Sequence, residues 1–390
     1  MMNLSEKLIS LRRELHMYPE IGFDLPRTHA LVRRELDDIG IGGENARECG
    51  KSSLYVYINP EKASRYTIAL RADMDALPIT ERSSREYASR IPGAMHACGH
   101  DAHTAIMLGA ARLLFERKDK LACAVKLLFQ ANEEGYDTGA KYVAEAGFTD
   151  DVDIIAGLHV GNDVPSGYIG LCPGAAMAGS HTVKVDFFGK PAHATQMQLG
   201  ADSIAMAVEA YQRINAMNSR FFSADDKRVV FVGVLRGGEA PNIVCAKSHM
   251  ELTVRAFDIA LDKKIIDMIY SACRGAASDF RGSCEIDSAH YTFPVINDAF
   301  LCASVERTAR AVVGKDRFVV IPPQMGSEDF SFYQQKIPGI FFRLGTRGAG
   351  NSEAHTDTFD LDESQLTLGA DMFLGFVRDN MNNLRSEDKR

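Results

Sequence analysis

The sequence predicts an α/β protein of two domains. The larger has a mixed, mostly parallel sheet with helices on both faces, and the smaller is an inserted domain of ferredoxin-like βαββαβ order. Three observations predict this. The chain has 390 residues, more than one hydrophobic core ordinarily serves. Short apolar runs alternate with helix-period segments through the first 160 or so residues, the pattern of a layered sheet. Beyond Gly179 the order changes to strand, helix, strand, strand, helix, strand.

Taken in order, Leu4, Leu8, Leu11 and Leu15 recur at helical spacing and predict a helix over 4–17, with a second near 27–40. The apolar run 66–71 reads as a buried strand leading into Ala72-Asp73-Met74-Asp75. A helix is expected at 103–117. A strand from Ala122 to Gln130 ends at Asn132-Glu133-Glu134-Gly135, and a strand from Asp153 to Val160 ends at His159. Asp75, the Glu133–Glu134 pair and His159 therefore fall at or just beyond the C-terminal ends of three strands. Open α/β sheets build their sites along that edge.

Residues 181–188 alternate Val183, Val185 and Phe187 with Lys184 and Asp186, as a half-buried strand does. A helix at 201–217, strands near 228–236 and 247–257, a helix at 260–279 and a strand near 282–292 complete the βαββαβ order. After residue 297 the chain returns to helix, strand and helix. The predicted domains are thus 1–179 with 297–390, and 180–296 inserted between them. Residues 385–390 read as a frayed tail.

Composition narrows the function classes. Hydrophobic residues at 46% and charged residues at 25% describe an ordinary globular chain. A net charge of −8 without a basic block argues against a nucleic-acid surface. No run of 18 apolar residues predicts a membrane span. The N-terminus lacks the charged and apolar regions of a signal peptide, so a cytoplasmic location is expected. The eight cysteines are scattered with no CxxC pair, as reduced core residues would be.

Cys98 is the exception. Met95-His96-Ala97-Cys98-Gly99-His100-Asp101-Ala102-His103 packs four soft or borderline donors into nine residues. Each candidate has an ordinary default when taken alone. For Cys98-Gly99-His100 it is a buried thiol beside a solvent-facing imidazole. The Glu133–Glu134 pair would be solvated, His159 a satisfied core histidine, and His355 a surface residue of a polar loop. Jointly these defaults weaken, because three of the features share one predicted sheet edge. Mixed S, N and O donors suit Zn, Mn, Co or Ni. Five donors exceed one tetrahedral site, whereas two ions with a bridging ligand fit the count. One Glu of the pair can then bind metal while its neighbour serves as general base, and Asp75 can orient a ligand.

Further strings carry a resemblance. Leu70-Arg71-Ala72-Asp73-Met74-Asp75-Ala76-Leu77-Pro78 is followed in order by the Cys98 segment, Glu133-Glu134-Gly135, Gly157-Leu158-His159 and Gly189-Lys190-Pro191-Ala192-His193-Ala194. Asn242-Ile243-Val244, Gly326-Ser327-Glu328-Asp329-Phe330 and His355 complete the set, and Arg13-Glu14-Leu15-His16 with Pro19-Glu20 matches an opening signature. The chain resembles the dinuclear metal amidohydrolases, which include aminoacylases, hippurate hydrolases, indole-acetyl-amino-acid hydrolases and aminobenzoyl-glutamate hydrolases. Residues 153–167 and 359–363 lean toward the aminobenzoyl-glutamate branch. The departures are Ala131-Asn132 before the paired glutamates, Lys190-Pro191-Ala192 before His193, and Leu25 in place of a glutamate.

Residue by residue, the resemblance implies that Cys98 bridges two divalent ions, with His100, Glu134, His159 and His355 completing the ligands. Glu133 is then general base and later general acid, with Asp75 beside it. The inserted domain becomes a lid that also forms a homodimer contact. From it His193 would stabilise the oxyanion in the partner's site, and Asn242 and Arg255 would bind the substrate carboxylate. The expected reaction is hydrolysis of N-acyl amino acids to a carboxylic acid and an amino acid. Rival readings are a dipeptidase or N-acetyl-diaminopimelate-type deacetylase with the same metals, a catalytically silent relative, and a cysteine hydrolase using Cys98.

Overall fold

The computed structural model describes residues 2–348 and 352–382; the tail at 385–390 lies outside them. In chain order the elements begin with helices α1 (Leu4–Met17) and α2 (Pro26–Ile39), and strands β1 (Arg47–Cys49), β2 (Ser53–Ile58) and β3 (Thr67–Asp73). Then come α3 (His100–Phe115), β4 (Ala124–Gln130), α4 (Gly139–Glu145), β5 (Ile154–Pro165), β6 (Ile169–Leu171) and β7 (Gly174–Met177). The middle of the chain forms β8 (Gly179–Phe188), α5 (Ser203–Arg220), β9 (Arg228–Gly237), β10 (Lys247–Ala256), α6 (Ile259–Asp279) and β11 (Ser283–Thr292). The last elements are β12 (Val295–Asn297), α7 (Ala299–Val312), β13 (Phe318–Val320), α8 (Ser331–Gln334), β14 (Gly339–Arg347) and α9 (Leu366–Asn380).

These elements make two compact units. The first comprises Met1–Ala176, Ile296–Pro322 and Asp329–Arg390, and the second Met177–Val295 with Pro323–Glu328. The first unit holds an eight-stranded sheet of order β1-β2-β4-β3-β5-β14-β6-β13. Its centre, β4-β3-β5-β14, is wholly parallel, while β2 against β4 and β6 against β14 are antiparallel. Every residue of β3 and β4 is buried, as expected of central parallel strands covered on both faces. Ile68, Leu70 and Ala72 enter the main core with Leu8 and Leu11 of α1, Ile106 and Leu114 of α3, and Phe373 of α9. The alternate residues, Ala69, Arg71 and Asp73, lie on the opposite face by the period of two.

Two elements differ from the sequence expectation in ways that matter for the site. Strand β5 runs on to Pro165, so His159 is not its last residue. Pairing of β3 with β5 ends at Arg71↔Gly157, while β14 continues alongside β5 to Arg347↔Pro165. His159 thus still emerges where β3 stops. Helix α3 starts at His100 rather than 103, because Gly99 adopts a left-handed φ of 93° at its N-cap. Strand β2 was not foreseen; it pairs antiparallel with β4 through Leu54↔Phe129 to Ile58↔Val125.

The second unit has a four-stranded antiparallel sheet of order β11-β8-β10-β9, the ferredoxin-like arrangement read from the sequence. Val183, Val185 and Phe187 of β8 pack with Met206 and Ile214 of α5 and Ile265 and Ile269 of α6. Among the described residues no helix is long and apolar enough to cross a membrane. All eight cysteines are free thiols.

Candidate metal centre

Three backbone features deliver the donors of the first unit. At Gly99 the left-handed φ turns the chain from the Cys98 loop into α3, and a Cβ there would also collide with Val160. The His355 backbone, at φ 63°, donates its N–H to Ala97 O at 2.7 Å, tying the 355 loop to the Cys98 loop. Asn132, at φ 55°, turns the chain sharply after β4. Its side-chain amide donates to Asp137 O at 2.5 Å. Asparagine tolerates that conformation well, which rationalises the departure at Ala131-Asn132. The buried Asp75 carboxylate then accepts the next two backbone N–H groups, from Glu133 at 2.9 Å and Glu134 at 3.1 Å. A residue 58 positions earlier in the chain thereby aims both glutamates.

The donors gather into two overlapping sets. In one, Cys98, His100 and His159 bring ligand atoms within 4.8 Å of one another; in the other, Cys98, Glu134 and His355 do so. Cys98 belongs to both. Its Sγ lies 3.4 Å from His159 Nε2, and His355 Nε2 lies 3.3 Å from Glu134 Oε1. His159 Nδ1 donates to the Val160 carbonyl at 2.5 Å, which leaves Nε2 with its lone pair toward Cys98. The Nε2 of His100 stands 3.9 Å from both Glu133 Oε2 and Glu134 Oε1, while Nδ1 faces Asp75 Oδ1 at 3.4 Å.

The electrostatics favour cations. Burial, reinforced by Glu134, pushes the Cys98 thiol up to about 12. A thiolate there needs a positive partner, and a free cysteine nucleophile would need the opposite shift. Burial disfavours ionised Glu134, but hydrogen bonding to His355 and the charge of His100 outweigh it and hold the carboxyl low. Burial likewise opposes charge on His100, yet Asp73 above all raises it well past the usual imidazole range. Burial and Arg343 hold His159 neutral, as a ligand must be.

The residues fit two divalent ions. Both ring nitrogens of His100 and Oε1 of Glu134 are buried and lack a hydrogen bond of normal geometry among the described residues. Buried polar atoms are seldom left so without an ion or water to take them. One thiol, three imidazoles and a carboxylate, with one donor common to two triplets, could hold two borderline ions.

In the second unit His193 caps the short helix at Ala194–Leu199, with Thr195 Oγ1 2.8 Å from its Nδ1, and its ring is exposed. Asn242 is its neighbour: the Asn242 carbonyl accepts Ala194 N–H at 2.9 Å, and His193 bridges Ile243 across the chain. Arg255 is half-buried on β10 and donates to Met325 O at 3.2 Å.

The sequence pointed to His96 and His103 as supporting residues, but not to the buried network that holds His103 beneath the donors. Asp73 receives Arg71 NH1 at 2.6 Å and His103 Nδ1 at 2.5 Å. Their spacing along β3 and α3 was visible, but Gln130 and Asp329, which complete the set around Arg71, are remote in sequence. His96 is fully buried with neither ring nitrogen hydrogen-bonded among the described residues. Burial holds its imidazole down at about 3.

The model of peptidase family M20/M25/M40 matches residues 69–379. The IAA-amino acid hydrolase ILR1-like 4 of Arabidopsis thaliana is 36% identical over 378 residues, covering 94% of this chain and 83% of its own. The N-acetylcysteine deacetylase of Bacillus subtilis is 34% identical over 368 residues, covering 94% and 95%. Among solved structures, a Bacillus subtilis protein described as a dinuclear metal-binding peptidase of the M20 family is 32% identical. It has a TM-score of 0.83 and covers 96% of this chain and 97% of its own.

Proposed function

The chain belongs to peptidase family M20/M25/M40 and is a hydrolase of that family, and on that premise we propose that it cleaves the amide bond of N-acyl amino acids with two divalent ions. The observation that carries this reading is the sharing of Cys98 by two donor triplets, with Glu133 beside them. Names of similar proteins support it: one acts on IAA-amino acids and another on N-acetylcysteine, and both substrates are acyl groups on an amino acid.

Cys98, His100 and His159 would hold one ion and Cys98, Glu134 and His355 the other. Bound divalent ions supply Lewis acidity and make water nucleophilic near neutral pH. Glu133, aimed by Asp75, takes a proton from the attacking water as its oxygen adds to the amide carbon. The C–N bond then breaks, and Glu133 passes that proton to the departing nitrogen. The products are a carboxylic acid and a free amino acid. Arg255 and Asn242 bind the substrate carboxylate, a task for which a guanidinium fork is suited. His193 donates to the oxyanion in the partner subunit of a homodimer formed through the second unit.

The test is metal-free protein refilled with Mn, Zn, Co or Ni and assayed on acetyl-, benzoyl-, indoleacetyl- and aminobenzoyl-amino acids and on dipeptides. Hydrolysis of one or more acyl amino acids is expected. Cleavage of dipeptides alone would move the assignment to a dipeptidase. No turnover of any substrate at full metal occupancy would leave a silent relative.

A further inference from the structure

We propose that Arg71, Asp73 and His103 form a buried positioning line that sets the rings of His100 and His159, and so governs one ion position, that of Cys98, His100 and His159, more than the other. The inference rests on the dinuclear reading above, but its geometry is independent of any ion.

His103 follows His100 by one helical turn of α3 and is buried. Its Nδ1 lies 2.5 Å from Asp73 Oδ1, and its Nε2 lies 2.9 Å from the backbone nitrogen of Val160. A backbone N–H can only donate, so Nε2 must present its lone pair and Nδ1 must carry the proton toward Asp73. The tautomer is therefore dictated from both sides. The same ring stacks on His100, with centroids 5.4 Å apart and planes 29° apart, and meets His159 edge-on at 4.6 Å. One imidazole that is outside the donor set thus touches two imidazoles inside it. It also grips the amide of Val160, the residue whose carbonyl fixes the tautomer of His159.

Asp73 can hold His103 only if it is itself held. Its second oxygen accepts Arg71 NH1 at 2.6 Å. Arg71 Nε donates to Gln130 Oε1 at 2.9 Å, and NH2 donates to Asp329 Oδ1 at 2.7 Å. Gln130 Nε2 donates to Asp329 Oδ2 at 2.7 Å, and the Tyr333 hydroxyl donates to Gln130 Oε1 at 2.7 Å. Ala140 N–H closes on Asp329 at 3.1 Å. All these side chains are buried. Hydrogen bonds in such a setting reinforce one another and allow few alternatives. None of the bonds named here reaches Glu134 or His355, which is why the effect should be confined to one position.

The experiment titrates metal-free protein with Zn²⁺ and counts ions per chain at limiting metal, comparing wild type with His103→Phe. Phenylalanine keeps an aromatic ring for stacking but removes both hydrogen bonds. The expected result is a folded variant that retains one ion as in wild type and binds the other ten- to a hundredfold more weakly, the usual consequence of losing such support. Two ions bound with wild-type affinity, or equal weakening of both, would overturn the proposal. Histidine ¹⁵N shifts of the wild-type, metal-free protein give a second readout that needs no variant to bind metal. Protonation of His103 at Nδ1 is expected, and an Nε2–H tautomer overturns the line even if His103→Phe fails to fold. If wild type itself takes up fewer than two ions, the dinuclear reading fails, while the tautomer still decides this one.

Discussion

At Cys98 the burial that makes the thiol inert also makes it a good ligand once cations are present. With its proton held to about 12, it is a poor nucleophile at neutral pH. Because it sits in both donor triplets, Cys98→Ala is expected to lower metal content at both positions, read by elemental analysis. Full occupancy in that variant would remove the bridging role. Glu133→Gln tests a different property of the same pocket. It should keep both ions and lose about a hundred- to ten-thousandfold in kcat, the range for a positioned general base. Near wild-type turnover would move the base elsewhere. At this scale the sequence was most informative where donors were neighbours in the chain, as with Cys98 and His100. His355 lies 255 residues beyond His100, in a polar loop where a surface histidine is the ordinary default. What brings it close is a backbone hydrogen bond to Ala97, and no residue type announces that.

Helix α1 shows what elements contribute that single residues do not. The spacing of its leucines predicted the helix, and Leu8, Leu11 and Leu15 are buried, but two polar residues on it are equally buried. Arg12 is wholly enclosed, with Asp101 at 2.8 Å, Asp360 at 3.1 Å and Glu363 at 3.2 Å. His16 stands 2.7 Å from Asp101 and 3.3 Å from Glu81. These contacts join α1 to the start of α3, which carries His100, and to the stretch that follows His355. Removing one partner of a buried ion pair strands the others, so Arg12→Met should cost about 3–5 kcal/mol in urea unfolding; a loss under about 1 kcal/mol would show that the cluster is solvated. Glu81 gives a pH test of the same cluster. Burial opposes its ionisation, but hydrogen bonds from His16, Ser83 and Ser89 N–H outweigh that and hold it at about 2, below its ordinary 4.5. A depressed carboxyl stabilises the fold above its unfolded value and loses that contribution as pH falls through its folded value. The difference in thermal midpoint between wild type and Glu81→Gln should therefore shrink as pH falls from about 4.5 to about 2. A difference that grows on acidification would contradict the assignment. Element boundaries were least legible where a glycine starts a helix, as Gly99 does for α3. A glycine cap offers no side-chain signal, so that first turn was taken for loop. Strand β2 was missed for a related reason: it is six residues long and gains its place from β4, some 70 residues later.

On the scale of the whole molecule, the second unit has an edge that chemistry says should not stay bare. Strand β9 ends its sheet, and it exposes Phe231 at 61% and Leu235 at 45%. On α5, Ile204 at 39%, Val208 at 41% and Tyr211 at 43% are exposed as well, and Ile204 lies against Gly237 at the end of β9. Exposed strand edges with apolar side chains are usually covered, most simply by a second copy about a two-fold axis. The proposed homodimer would use this edge. Phe231→Asp should accordingly shift the protein to monomer in analytical ultracentrifugation while leaving metal content unchanged, because the donor set lies wholly in the first unit. If His193 serves the partner's site, the monomer should also be nearly inactive. Mixing His193→Ala with Glu133→Gln chains should then regain part of the wild-type rate, since one site of each mixed dimer would combine an intact Glu133 with an intact His193. A fully active monomer, or no recovery in a mixed dimer verified by mass, would place the oxyanion donor within one chain.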